Sequence, residues 1–121
     1  MSYSAVTLDH FHHPRHVGEV EGATGHARCE NPACGDLAEF WVRVAEGRLE
    51  EVGFRAFGCA AALASCSMLA TLARGRTVEE ARHLGTSQVL EALEGLPPAK
   101  THGAALAVET LRAALDGAPP P

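Results

Sequence analysis

The chain has no run of eighteen apolar residues, so no membrane-spanning helix is expected. Behind Met1 there is no basic segment followed by an apolar stretch, which leaves no secretory signal and makes a cytoplasmic protein the expectation. A basic surplus is missing too: the formal net charge is −5 over 121 residues, which argues against a nucleic-acid surface. Gly18, Gly22 and Gly25 lack dinucleotide or P-loop spacing and follow no strand, so a phosphate cradle is not expected. There is no C-x-x-C pair to announce a zinc or redox motif. Lysine is nearly absent, Lys100 standing against nine arginines, which we read as compositional drift and nothing more. No repeat and no internal boundary is visible, and nothing suggests an oxyanion hole or substrate pocket. A single domain over residues 1–121, binding rather than catalysing, is expected.

What remains is an ordinary globular composition, 46% hydrophobic and 21% charged, long enough for one modest core. In a reducing cytosol the four cysteines read as metal or redox groups, or as buried thiols, before they read as disulfides.

The elements follow from local pattern. Tyr3 to Phe11 predicts a short helix capped by Ser4 and ended by Pro14. His10, His12, His13 and His16 crowd its end; a His-rich tract can bind metal, but solvated imidazoles are the plainer reading. Gly25 to Cys29 predicts a short strand, with Cys29 a small core hydrophobe. Leu37 to Ala45 alternates as a strand, with Trp41 on its more polar face, placed to cover a neighbour. Glu46-Gly47 supplies a turn into a second strand, Leu49 to Phe57. Gly58 breaks that strand, and Ala60 through Arg74 predicts a helix stopped at Gly75. Thr77 to Glu80 is a capping box for a short helix to about His83. Ser87 is expected to start another, ended by Gly95. The prolines make Leu96 to Lys100 extended. Thr101 is expected to cap a last helix with Ala104, Val108, Leu111 and Leu115 on one face, stopped by Gly117. Residues 117–121 read as a disordered Pro-rich tail. The fold class is α+β: a small three-stranded antiparallel sheet packed with helices.

The chemistry concentrates in Asn31-Pro32-Ala33-Cys34-Gly35-Asp36. Gly35 permits a tight turn, and Cys34 and Asp36 on either side of it can face one centre. Thiolate and carboxylate are both ligands for zinc or iron. Cys59, after Gly58, and His102, at a helix start, are the candidates to complete a four-ligand shell. Cys59 falls at the first helical turn, where the positive end of the helix dipole favours an anion. Cys66 lies two turns on, about 10.5 Å away at 1.5 Å per residue. Two sulfurs on one zinc lie within about 4 Å, so Cys66 reads as a buried core thiol. The alternative is that Cys34 and Cys59 are unconnected thiols, Asp36 caps a turn and His102 is a surface histidine. Spacing alone leaves both readings open.

These residues carry a resemblance. Tyr3 to His10, Pro14 to Gly18, Asn31 to Asp36, Gly58-Cys59, Gly75 to Ala81 and Leu96-Pro97-Pro98-Ala99-Lys100 together resemble the IscU/NifU family of iron–sulfur cluster assembly scaffolds, nearly end to end. The diproline favours the IscU branch over the SufU branch. The resemblance implies a scaffold that takes sulfur from a cysteine desulfurase and iron from an iron donor. It implies a transient [2Fe-2S] cluster passed to acceptor apo-proteins, with zinc found in the same site of the isolated protein. It implies Cys34, Cys59 and His102 as ligands, and Asp36 as a ligand or a labile group that eases cluster release; Cys34 or Cys59 is the expected persulfide acceptor if the protein takes part in sulfur transfer. It implies Leu96, Pro97, Pro98, Ala99 and Lys100 as the segment bound by an Hsp70-type chaperone with its co-chaperone. A zinc-bound sulfur-transfer acceptor and a non-assembling regulatory paralogue are the alternatives. There is one departure: where the family follows its histidine with a third cysteine, this chain has Gly103. A softer ligand is lost, and weaker iron–sulfur binding is expected. Gly103→Cys is expected to restore it, because a side chain there should point near the metal without straining the backbone.

Overall fold

The computed structural model describes residues 3–117. Its order is α1 (Ala5–His12), β1 (Gly25–Glu30), β2 (Leu37–Ala45), β3 (Arg48–Phe57), α2 (Ala60–Ala73), α3 (Val78–Arg82), α4 (Thr86–Ala92), a 3-10 turn (Pro98–Lys100) and α5 (His102–Asp116). The strands form one antiparallel sheet in the order β1-β2-β3. The α+β expectation therefore holds. The Pro-rich residues beyond Gly117 lie outside the described residues.

Glu46 and Gly47 both take positive φ, 53° and 78°, the pair of angles that matches the twist of a tight hairpin between β2 and β3. Period-two alternation buries Ala38, Phe40, Val42, Val52 and Phe54 on one face. Phe40 and Phe54 are direct cross-strand partners, with ring centroids 6.0 Å apart. Such a pair contributes about 0.5–1.5 kcal/mol beyond its area. Helices α2 and α5 cover this face: α2 lies on β3, and α5 lies on β1 and β2. On the opposite face Trp41 stacks on His26 at 5.1 Å, with the Arg55 guanidinium 5.3 Å from its ring. Its expected role as a cover is met: these neighbours leave it 8% exposed on the uncovered side of the sheet.

Helix α2 is buried on nearly every side. From Ala61 to Ala73, only Leu63, Thr71 and Leu72 escape full burial. A helix with no charged side chain packs on every side, and α2 is the hub between the sheet, α1 and α5. Ser4 caps α1 as expected, accepting from the Thr7 N–H. His10 is buried with Nδ1 2.7 Å from Ser67 Oγ, His13 sits 3.5 Å from Asp9, and His16 faces Glu51 at 3.8 Å. Among the described residues, none of these four histidines belongs to a group of side chains spaced to hold a metal ion.

The capping box at Thr77 and Glu80 is present with both reciprocal bonds. Helix α4 starts one residue earlier than expected, after Gly85. Two further corrections concern the segment before α5. Only its start is extended: Pro97 has φ −52° and ψ 139°, while Pro98–Lys100 closes into the 3-10 turn with Lys100 N–H donating to Pro97 O at 2.8 Å. Proline at the first position of a helical turn gives up a donor that has no partner there anyway, so the diproline permits a turn after it. Thr101 itself is helical and makes no side-chain cap; its hydroxyl donates back to Pro98 O.

Candidate metal centre

The Asn31 loop joins β1 to β2 and is braced by its own backbone. Asn31 N–H donates to Asp36 O at 2.8 Å, and Gly35 N–H to Asn31 O at 2.7 Å. The Asn31 side chain accepts from Ala33 N–H at 3.0 Å, the local bond that makes asparagine a turn former. Gly35 takes φ +76°, so the chain reverses between Cys34 and Asp36. Cys34 is thereby left exposed, and Asp36 points inward at 4% exposure.

Asp36 reaches the junction of β3 and α2. Its Oδ1 accepts from Cys59 N–H at 3.4 Å, and its Oδ2 from the Cys59 thiol at 3.5 Å. Cys59 is the N-cap of α2, and no side chain caps that helix end in its place. The N-terminal turn of α5 brings in the fourth group: His102 Nε2 lies 3.3 Å from Asp36 Oδ2. A buried carboxylate is costly unless hydrogen-bonded, and these donors supply its partners.

Cys34, Asp36 and His102 each offer a ligand atom within 4.8 Å of the other two, the one such group among the described residues. Ligand atoms around a tetrahedral zinc stand about 3.3–3.8 Å apart, given bonds of about 2.0–2.3 Å. Closing that spread by about 1 Å would give the three the spacing of ligands on one zinc. Cys59 falls outside this mutual group, yet its sulfur stands 3.5 Å from the Asp36 oxygen, within the spacing of two ligands on one zinc. A set of two sulfurs, one oxygen and one nitrogen suits zinc, and it suits iron with fewer soft donors than three thiolates. Cys66 is buried in α2, and burial pushes its thiol far above the ordinary range. Cys29 is half-buried against the core. A groove of about 340 Å³ opens beside His102, between the Asn31 loop and α5, with Glu30 and Glu109 on its walls.

Gly103 corrects an expectation. Its φ is not positive, so the backbone angle would accept a side chain. Space would not. A Cβ there would stand 2.9 Å from Ala62 N and about 3.0 Å from Ala61 C, the backbone of the first turn of α2. The start of α5 is seated directly on the start of α2, which is how His102 reaches Asp36. Residue 103 therefore faces backbone rather than open ligand space. Sequence reasoning took Gly58 only as a strand breaker; the structure places it against Asp36, whose Oδ1 would stand 2.1 Å from a Cβ there. The position of Gly58 directly before Cys59 was the available signal.

The chain matches the model of the NifU-like N terminal domain over residues 2–117. It is 45% identical over 113 residues to the iron–sulfur cluster assembly scaffold protein IscU 1 of Archaeoglobus fulgidus, covering 93% of this chain and 74% of that one. It is 34% identical over 119 residues to the iron–sulfur cluster assembly scaffold protein IscU of Escherichia coli, covering 95% and 92%. Among solved structures, the N-terminal NifU-like protein of Brucella abortus shares the fold at a TM-score of 0.75 and 16% identity, over 94% of this chain and 92% of that one. This α+β chain belongs to the NifU-like N-terminal domain family, together with the IscU scaffold proteins.

Proposed function

We propose that the protein is an iron–sulfur cluster assembly scaffold and carrier that holds its cargo at Cys34, Asp36, Cys59 and His102. The observation that carries this is the convergence of three ligand atoms within 4.8 Å at one pole, from a loop and a helix start far apart in sequence, with Cys59 against the same carboxylate. The role is binding and transfer, not turnover. Residues 1–121 form one scaffold domain in this reading. Exposed Cys34 is the better placed of the two persulfide acceptors, because a donor thiol can reach it without opening the core. A cysteine desulfurase supplies sulfur, an iron donor supplies iron, and acceptor apo-proteins take the [2Fe-2S] product. Leu96 to Lys100, with Pro98 and Ala99 exposed, is the segment offered to an Hsp70-type chaperone.

The second reading is a zinc-bound sulfur acceptor, favoured by a donor set that already suits one zinc. Anaerobic reconstitution with ferrous iron and sulfide separates the two. Uptake of a visible chromophore that transfers to an apo [2Fe-2S] protein, and that Cys34→Ser or Cys59→Ser abolishes, is the expected result. A protein that retains zinc and takes up no chromophore, yet accepts sulfur from a desulfurase, would replace the first reading by the second.

A further inference from the structure

Asp36 lies where a side chain on residue 58 would be. A Cβ built on Gly58 would stand 2.1 Å from Asp36 Oδ1, 2.7 Å from its Cγ and 3.2 Å from its Cβ. Those three nearest atoms all belong to Asp36, so the closest conflict is with that one side chain. The same carboxylate is the group that meets both the Cys59 thiol and His102. Asp has two side-chain torsions and little reach, so it cannot bend around an obstacle; it can only swing away. Gly58 is itself exposed, and solvent is open to a displaced carboxylate.

We propose that Gly58 is a positioning residue of the cargo site: its bare backbone seats Asp36 between Cys59 and His102, and any side chain at 58 turns the carboxylate out of the ligand set. The proposal rests on the ligand assignment of the proposed function. A competing account is that glycine is needed only for its φ of +144°, which favours glycine whatever surrounds it. The two accounts differ in whether Asp36 must be present for a substitution at 58 to matter at the metal.

The test is a double-mutant cycle on the full chain. Zinc affinity is measured by competition with a chromophoric chelator, and the ligand set by the visible bands of bound cobalt. The variants are Gly58→Ala, Asp36→Ala and the two combined. Asp36→Ala is expected to lower zinc affinity about 10–100-fold and to shift the cobalt bands. Gly58→Ala is expected to match it in both readouts, and the double variant to be no worse than Asp36→Ala alone. Parent-like affinity and spectrum for Gly58→Ala, or losses that multiply in the double variant, would overturn the inference. Unchanged binding in Asp36→Ala would remove the ligand assignment itself, and the inference with it. If Gly58→Ala fails to fold while the double variant folds, the clash with Asp36 is the cause and the inference stands. If neither folds, the glycine serves the backbone angle and the inference falls.

Discussion

At the scale of single residues, Cys59 and Cys66 have opposite fates for reasons of distance. Cys59 sits at the N-cap position of α2 beside Asp36, while Cys66 lies two turns deeper and is buried in the core. Cys59→Ser should therefore cost most of the zinc held by the purified protein, measured by elemental analysis at constant protein. Cys66→Ser should keep the zinc and lower stability by about 1–3 kcal/mol, since a buried hydroxyl replaces a thiol. Equal zinc loss from both would contradict the helical spacing. Gly103 is decided by a gap of 2.9 Å to Ala62 N. Gly103→Cys should not repair the missing third thiolate. It should force the first turns of α5 and α2 apart, cost about 1–3 kcal/mol in denaturant unfolding, and shorten the life of a reconstituted cluster. A variant as stable as the parent, with a longer-lived cluster, would mean that α5 can shift without loss.

At the scale of elements, the connection before α5 is half extended and half turned. Pro98 sits where a turn tolerates it, and the turn sets the direction in which His102 leaves. Pro97→Ala with Pro98→Ala should weaken capture by an Hsp70-type chaperone, measured by anisotropy of a labelled chain, and leave zinc content unchanged. Undiminished capture would move the chaperone contact elsewhere. Helix α1 carries the pH-sensitive contact. Burial beside Ser67 holds His10 below the ordinary histidine range, with Arg15 adding to the effect and Asp9 opposing it. An imidazole kept neutral when folded binds its proton more readily when unfolded. Its contribution is complete above the unfolded value near about 6.5 and declines as pH falls below it. Thermal unfolding should therefore drop in midpoint between about pH 7 and 5, and His10→Gln should flatten that slope. An identical slope in the variant would exclude His10 as its source.

For the whole molecule, the candidate ligands come from three places that only folding joins: the β1–β2 loop, the β3–α2 junction and the start of α5. A bound ion cross-links them, so it stabilises the folded state by mass action. Zinc at about 100 times its dissociation constant adds about 2.7 kcal/mol. Calorimetry should show zinc raising the unfolding midpoint of the parent and of Cys66→Ser, and leaving that of Cys59→Ser nearly unmoved. A zinc shift retained in Cys59→Ser would place the ion away from this pole. Among the described residues no helix is long and apolar enough to cross a membrane. The buried apolar side chains form one core between α2, α5 and the sheet.

Much of this was legible in the chain itself, because it depends on short range. Alternation gave the strands to within a residue, Glu46-Gly47 the hairpin, Thr77 with Glu80 a capping box, and Ser4 a cap. The approach of Cys34 and Asp36 followed from a six-residue loop. The tertiary structure alone decided what depends on contacts between distant segments. The burial of α2 on nearly every side comes from α1, α5 and the sheet meeting around it. The refusal of a side chain at 103 comes from the backbone of Ala61 and Ala62, about forty residues earlier in the chain, being about 3 Å off, which no backbone angle reveals. The seat of Asp36 over Gly58 likewise joins residues that local pattern treats separately. Sequence named the ligand types, since donor chemistry belongs to a side chain; the fold set their distances, since distance belongs to packing.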